Sequence, residues 1–436
     1  MISTDQLRSQ PLASSGNSND AIVPFNVLET RNQDLCRAFS WIFHADPLAA
    51  LRRALQEWTQ VEDVSFAPSG ESAIAQILSL LPQQEVVMPA WICHQVKIAV
   101  RVAGKRITYV DLCKGGINAT SAEYAEVARP GRILLIAHLF GVPTDVAAIC
   151  ELAKKRDCVT IEDAVPAVGG RQDGRLFGTF ADFGVFSFEQ SKRIPALRGG
   201  FIVANNRQLI AREKLERFRV VETSSVMPVL ALAKAFTQNL ATNLYIYRAL
   251  TAKLLPLRPL VWRALRAAKG GKVSPIPLIH TGDGQQVESN SPMLAPRNPF
   301  YTREIHPYQA KLALPLIMRI EKIAEKIARL AAVYVDNFRD TPIAMLLPHE
   351  CDMSSLMRFP IAFPGKARSQ ILRRAQKQSI HLKVMWSEEA NCEGLPNSLW
   401  IARNLVLLPL YTALSERSAE CLARTLVEID RSTPLG

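Results

Sequence analysis

The chain has 436 residues, 48% of them hydrophobic and 21% charged, and a formal net charge of +12 at pH 7. That length exceeds one ordinary core, so two domains are expected, and the composition excludes disordered and fibrous classes. The positive surplus suits anionic partners, and its place along the chain decides which.

Eight cysteines and seven histidines show no CxxC pair and no metal-ligand spacing, which predicts reduced thiols, no metal site and a cytoplasmic chain. The first twenty residues are polar and lack a secretory h-region, so residues 1–25 are read as a flexible arm. Residues 45–59 carry apolar side chains at helical spacing and predict an amphipathic helix. Residues 64–81 predict a short strand, a Pro-Ser-Gly turn and a helix that ends before Pro82, with Ser69 as N-cap. That turn leaves the N–H groups of Gly70, Glu71 and Ser72 free, which suits an ordinary capped helix or a phosphate site.

Strands are then predicted at 86–88, 107–110, 133–137 and 159–161, with helices at 95–103 and 145–155. The alternation predicts a largely parallel sheet with helices on both faces. It puts the turn after Met88, His138 and Asp163 at strand carboxyl ends, where such sheets bind ligands. Residues 169–180 read as a hairpin or loop, 183–188 as a strand carrying Ser187 towards Lys192, and Gly199-Gly200 as the entry to a strand at 201–204. An acid and a lysine at the ends of neighbouring strands can grip a pyridoxal phosphate. Asp163 would pair with the protonated ring nitrogen, Lys192 would form the Schiff base, and Ser187 would reach a phosphate oxygen.

Several motifs in register resemble the DegT/StrS-type sugar aminotransferases, pyridoxal-phosphate enzymes of fold type I. They are PSGESAI (68–74), EVVMPAW (85–91), YVDL (109–112), HLFG (138–141), IEDAVPAVGG (161–170), GTFADFGVFSFEQSK (178–192), RGGFIVAN (198–205) and LVLLPLY (405–411). The resemblance implies a large domain with a mostly parallel sheet between helices (26–225) and a smaller C-terminal α/β domain (299–436). It implies that Lys192 is the catalytic lysine and proton carrier, that Asp163 holds the ring nitrogen, and that Ser187, Gly70, Glu71 and Ser72 take the phosphate. A lysine at 192, where deoxysugar dehydratases of the group carry histidine, implies transamination. Glutamate as amino donor and a homodimer with shared active sites are implied in the same way.

The sequence also departs from the family's pattern. Glu71 stands where threonine is usual, so only its N–H would serve the phosphate. Pro166 replaces a glutamine, and Leu197-Arg198 replace the Gly-Glu of GEGG. The ring-stacking position falls by register on Cys93, with Trp91 as the alternative, and the segment that reaches a neighbouring subunit is Tyr-Thr-Arg-Glu at 301–304.

Residues 226–272 hold eight Lys and Arg and not one Asp or Glu, interleaved with Leu, Tyr and Trp. No stretch there is long and apolar enough to span a bilayer. It reads either as a helical pair on an anionic membrane surface or as a helical hairpin packed on the protein; no nucleic-acid motif accompanies the charge. This insertion and a Ser-, Gly- and Pro-rich loop fill 226–298. The C-terminal part predicts a long helix at 308–338 interrupted at Pro315, strands at 355–363 and 380–384, and helices at 367–378 and 415–429. His381 and Trp386 face either the substrate or the core.

The expectation is therefore a transaminase acting on a keto-sugar, nucleotide-linked, in surface polysaccharide or glycoside biosynthesis. The alternatives are a keto-cyclitol, a lipid-linked sugar at the membrane surface, or a non-catalytic regulator on the same fold.

Overall fold

Runs such as ILLIA at 133–137 and VTIED at 159–163 are buried at every position, as strands covered on both faces must be. In the computed structural model, which describes residues 18–25, 27–38, 46–210, 212–216, 226–251, 305–386 and 392–435, they lie in the middle of a seven-stranded sheet. Its members are β1 (Val64–Ala67), β2 (Glu85–Pro89), β3 (Arg106–Val110), β4 (Ile133–Ala137), β5 (Val159–Asp163), β8 (Phe183–Ser187) and β9 (Gly200–Ala204), ordered β1-β9-β8-β5-β4-β2-β3. The hairpin expected at 169–180 is the two-stranded β6 (Arg171–Gln172) and β7 (Arg175–Leu176). Pairings from β8 through β5, β4 and β2 to β3 are parallel, while β9 runs antiparallel to both β8 and β1. All strands of this sheet except β9 therefore end at the same edge. The chain leaves β2 towards β3 but leaves β4 towards β5, which makes the β2–β4 boundary the topological switch point of the sheet.

Helices form where local signals agree. Pro47–Thr59 starts on Asp46, whose side chain accepts from Ala49 N–H at 3.0 Å, and it buries Leu51, Leu55 and Thr59 along one stripe. Gly70–Leu80 starts on Ser69, whose oxygen accepts from Ser72 N–H at 3.0 Å. The long helix expected at 308–338 is two helices, Pro307–Ile317 and Ile320–Phe338. The break comes at Met318-Arg319 and not at Pro315, which stays inside the last turns of the first helix. Proline removes one donor and crowds the carbonyl four residues back, both on its upstream side, so it does not account for the break that follows.

A second, three-stranded sheet has the order β10 (Ala344–Met345), β11 (Arg358–Ala362), β12 (Val406–Pro409), all antiparallel. The strand expected at 380–384 is reduced to a single bridge, Lys383 to Leu407. The helix Glu416–Ser432 begins on Ser415, whose oxygen accepts from Ser418 N–H. Short helices not expected from the sequence include Asn32–Ala38, Ser121–Val127, Arg212–Glu216 and Pro396–Asn404.

Ala21 and Val23 are buried, and Asp20 pairs with Arg248 at 3.1 Å and Arg417 at 2.9 Å. Residues 1–17 of the expected arm, the basic stretch beyond 251, the loop at 272–299 and the segment at 301–304 lie outside the described residues.

Candidate active site

The common edge of the strands gathers the predicted residues. β1 runs into the turn before Gly70, β2 ends at Pro89 just ahead of Cys93, β4 ends at Ala137 beside His138, β5 ends on Asp163, and β8 ends on Ser187 before the loop carrying Lys192. A Cβ added to Gly70 would sit 3.2 Å from both Ser187 Cβ and Val165 Cγ2, and 3.6 Å from Ser187 Oγ. Glycine is thus what lets the first turn of its helix approach the Ser187 hydroxyl. Ser187 Oγ accepts from Glu189 N–H at 3.2 Å, which leaves its own proton to donate. A bridge from Ser69 to Gly199 ties the turn to the antiparallel strand behind it.

Asp163 is buried, and among the described residues its carboxylate takes one hydrogen bond, from Val165 N–H at 3.2 Å. Burial pushes its carboxyl above the ordinary value, opposed by Lys192, the Val165 N–H and His138, while Glu162 adds to the rise. A carboxylate so placed asks for a cation. Lys192, half-buried in a turn closed by its N–H to Glu189 O at 2.9 Å, is one charge in reach. Burial likewise raises the Cys93 thiol; Lys192 pulls it down, and Asp163 and Glu71 raise it further. Cys93, Asp163, Lys192 and Glu71 therefore share one electrostatic neighbourhood.

Trp91 goes elsewhere. Its ring is buried against Trp386 at 5.1 Å and Phe140 at 5.8 Å, and its Nε1 donates to Trp386 O at 2.9 Å. Of the two residues at the stacking position, only Cys93 faces the lysine and the acid. Ser72 is fully buried, its hydroxyl 2.8 Å from Ser69 Oγ. Trp386 is half-buried with φ of 52°, stacked on Phe140 at 4.8 Å.

Of the pair behind Asp163, the sequence pointed to His138 at a strand end but not to Glu162. His138 Nδ1 accepts from Thr144 N–H at 3.3 Å, so the proton belongs on Nε2, which donates to Glu162 at 3.0 Å. Glu162 also accepts from Gly178, Phe180 and Ala181 N–H groups. This fully buried network fixes the ends of β4 and β5 and the approach to β8. The departures are also visible. Leu197, standing for a glycine, adopts φ of 72°, and Arg198 O accepts from Gln309 Nε2 at 2.6 Å.

A model of the DegT/DnrJ/EryC1/StrS aminotransferase family matches residues 33–229. A dTDP-4-dehydro-2,3,6-trideoxy-D-glucose 4-aminotransferase of Saccharopolyspora spinosa is 29% identical over 168 residues, 38% of this chain and 44% of that protein. A UDP-N-acetyl-3-dehydro-alpha-D-glucosamine 3-aminotransferase of Acidithiobacillus ferrooxidans is 32% identical over 146 residues, 32% of this chain and 40% of that one. The chain thus spans less than half the length of these curated relatives. Over the whole fold, the structure of Helicobacter pylori PseC, an aminotransferase involved in the biosynthesis of pseudoaminic acid, aligns with a TM-score of 0.68 at 16% identity. That alignment covers 94% of this chain and 99% of PseC.

Proposed function

We propose, for a chain that belongs to the DegT/DnrJ/EryC1/StrS aminotransferase family, that it is a pyridoxal-phosphate-dependent transaminase acting on a nucleotide-linked keto-sugar. The observation that carries this reading is the shared neighbourhood of Lys192, Asp163 and Cys93 beside the Gly70–Ser187 contact.

The residues fit the cofactor. Gly70 keeps open a cradle that a Cβ would narrow, at the start of an eleven-residue helix whose N–H groups and dipole favour an anion. Asp163 is a buried carboxylate short of partners, which suits a protonated ring nitrogen. When bound, pyridoxal phosphate supplies an electron-accepting ring conjugated to an aldehyde that amines can attack. Asp163 would hold a proton on the ring nitrogen, Ser187 and the N–H groups of Gly70 and Glu71 would anchor the phosphate, and Cys93 would cover one face; the Ser72 N–H expected to join them is instead taken by Ser69 Oγ at 3.0 Å. Lys192 would supply the amine that holds the aldehyde carbon and, once displaced, the base that moves a proton. The Glu71 carboxylate opposes the phosphate charge, so the site holds it through N–H groups and Ser187.

The dTDP- and UDP-sugar aminotransferases among the relatives support a nucleotide-linked keto-sugar as substrate, and the basic charge of the chain suits a diphosphate. Glutamate is the proposed donor and a homodimer the proposed assembly. Purified protein with excess cofactor is expected to show an absorbance band near ~410–430 nm that Lys192→Ala removes. No band in the native protein would leave a non-catalytic regulator as the reading. A screen of keto-sugar nucleotides for conversion then identifies the substrate.

A lipid-linked sugar is the second reading, favoured by one helix. Val226–Thr242 exposes Val229, Leu230 and Leu240 by 51, 59 and 60% of their surface. Among the described residues no helix is long and apolar enough to cross a membrane. Co-sedimentation with anionic vesicles tests a peripheral contact; binding unchanged after deletion of 226–272 rules it out.

A further inference from the structure

The loop that carries Lys192 is closed at its base by backbone bonds. Phe188 N–H donates to Gly199 O at 2.8 Å, and Ala196 N–H donates to Phe188 O at 2.9 Å. Ahead of the lysine it closes on itself, with Lys192 N–H on Glu189 O at 2.9 Å and Ser191 N–H on the Glu189 carboxylate at 2.9 Å. Past the lysine it is held from outside, since Pro195 has no N–H to give. Arg193, buried, donates through Nη2 to the carbonyl of Leu356, and Gln309 Nε2 donates to Arg198 O at 2.6 Å. The third hold comes from the start of the chain: Thr30 Oγ1 donates to Pro195 O at 2.6 Å, across 165 positions.

Thr30 and Pro195 are both buried, so bulk water cannot replace that hydroxyl, and a carbonyl left without its donor would drive the loop to shift. Thr30 is itself fixed on both sides. Glu29 accepts from Thr412 N–H at 3.0 Å, and Asp34 accepts from Arg31 N–H at 3.1 Å and from Arg319 Nη2 at 2.8 Å. The carbonyl of Thr30 accepts from Asn239 Nδ2 at 3.0 Å, and the same amide nitrogen lies 2.9 Å from Asn32 Oδ1. Asn239 belongs to Val226–Thr242, the first helix of the basic insertion. It follows the buried Leu232 and Ala235 at helical spacing, so the inner face of that helix delivers the amide to Thr30.

We propose that Thr30 is a positioning residue for Lys192, and that the insertion backs it through Asn239. The inference rests on the transaminase reading. In that chemistry one amine must meet one carbon, give it up and return to it, and a misplacement of about 1 Å is costly. The run of bonds from Asn239 through Thr30 to Pro195 gives the insertion a task inside the protein, three residues from the lysine.

The test uses the full chain, freed of cofactor and then mixed with pyridoxal phosphate alone. Binding is followed by the first-order step in which the Lys192 nitrogen bonds to the aldehyde carbon and water leaves, read as growth of the visible band. Thr30→Val keeps the shape of the side chain and removes the hydroxyl. It should slow that step roughly 10-fold. The cofactor concentration that half-saturates the rate should stay within about 2-fold, because the cradle at Gly70 and Ser187 is untouched. Thr30→Ser returns the donor and should return the rate, and Asn239→Leu should slow the step by about 3-fold. In cofactor-free protein, hydrogen exchange over residues 189–196 should quicken in Thr30→Val and Asn239→Leu. Should Thr30→Val not fold, Asn239→Leu, at a half-buried position, carries both readouts. Native rate and native exchange in Thr30→Val overturn the positioning role. Equal slowing in Thr30→Val and Thr30→Ser, or cofactor affinity lost in step with the rate, also overturns it and assigns Thr30 to packing alone. Native behaviour of Asn239→Leu beside a slowed Thr30→Val overturns the part given to the insertion. No band in native protein overturns the transaminase reading itself, and the positioning role with it.

Discussion

The carboxyl edge of the large sheet and the seam between the two sheets are built in opposite ways. At the edge, each candidate residue follows its own strand by a few positions, so Asp163, Ser187 and Lys192 are placed by local chain geometry. At the seam, single bonds join residues hundreds of positions apart. Met357 N–H donates to Phe140 O at 2.7 Å, Ser355 Oγ to Gly141 O at 2.6 Å, and Asp111 accepts from Ser398 N–H and Oγ at 2.7 and 2.6 Å and from Asn397 N–H at 3.1 Å. Chemistry concentrated in a few contiguous loops tolerates a loosely specified seam, but each seam bond must be satisfied by a partner the local sequence does not announce.

Variants at the two places should therefore fail differently. Lys192→Ala is expected to abolish the visible band and lower turnover by on the order of 10³-fold or more, with thermal stability little changed. A comparable loss of melting temperature would mean that the edge is also structural. Asp163→Asn should lower turnover by about 10²-fold or more. Its stability effect runs the other way. Because the fold raises the Asp163 carboxyl above its unfolded value, the native state binds more protons there, and stability falls as pH rises through that window. Cofactor-free Asp163→Asn should thus melt higher than native protein at neutral pH, and equal melting would break the argument. Asp111→Ala, at the seam, should cost about 2–3 kcal/mol through lost charge-assisted bonds while the visible band survives; chemical denaturation followed by tryptophan fluorescence, with the visible band recorded in native buffer, reads this. Smallest of all, Leu197→Gly should relieve a left-handed backbone and gain about 1 kcal/mol at most, less the packing of the leucine, measurable as a slightly higher midpoint.

Legibility follows the same divide. The Ser69 cap, the β-branched run before Asp163 and the aromatic strand before Ser187 all declare themselves in order, and the structure gathers them. The Thr120–Glu123 capping box that opens Ser121–Val127 was a readable sign that went unread. Pro396–Asn404 carries only the weaker sign of a proline at its first position, because Leu395 at its N-cap offers no side-chain oxygen. Ile380 and its neighbours have strand composition, yet only Lys383 finds a bridge, since pairing is decided by the neighbour across the sheet. Arg193 looks like any surface cation until Leu356 and Arg358 are brought beside it.

The cap that Pro396–Asn404 lacks is provided by Asp111, from the end of β3. During synthesis the residues that need this carboxylate emerge almost 290 positions after it. The strands of the large sheet have all emerged by then, and Asp111 is a template on which about the last tenth of the chain is seated. A C-terminal fragment made alone would lose that start signal, so the two sheets belong to one assembly programme read from the first strand onward.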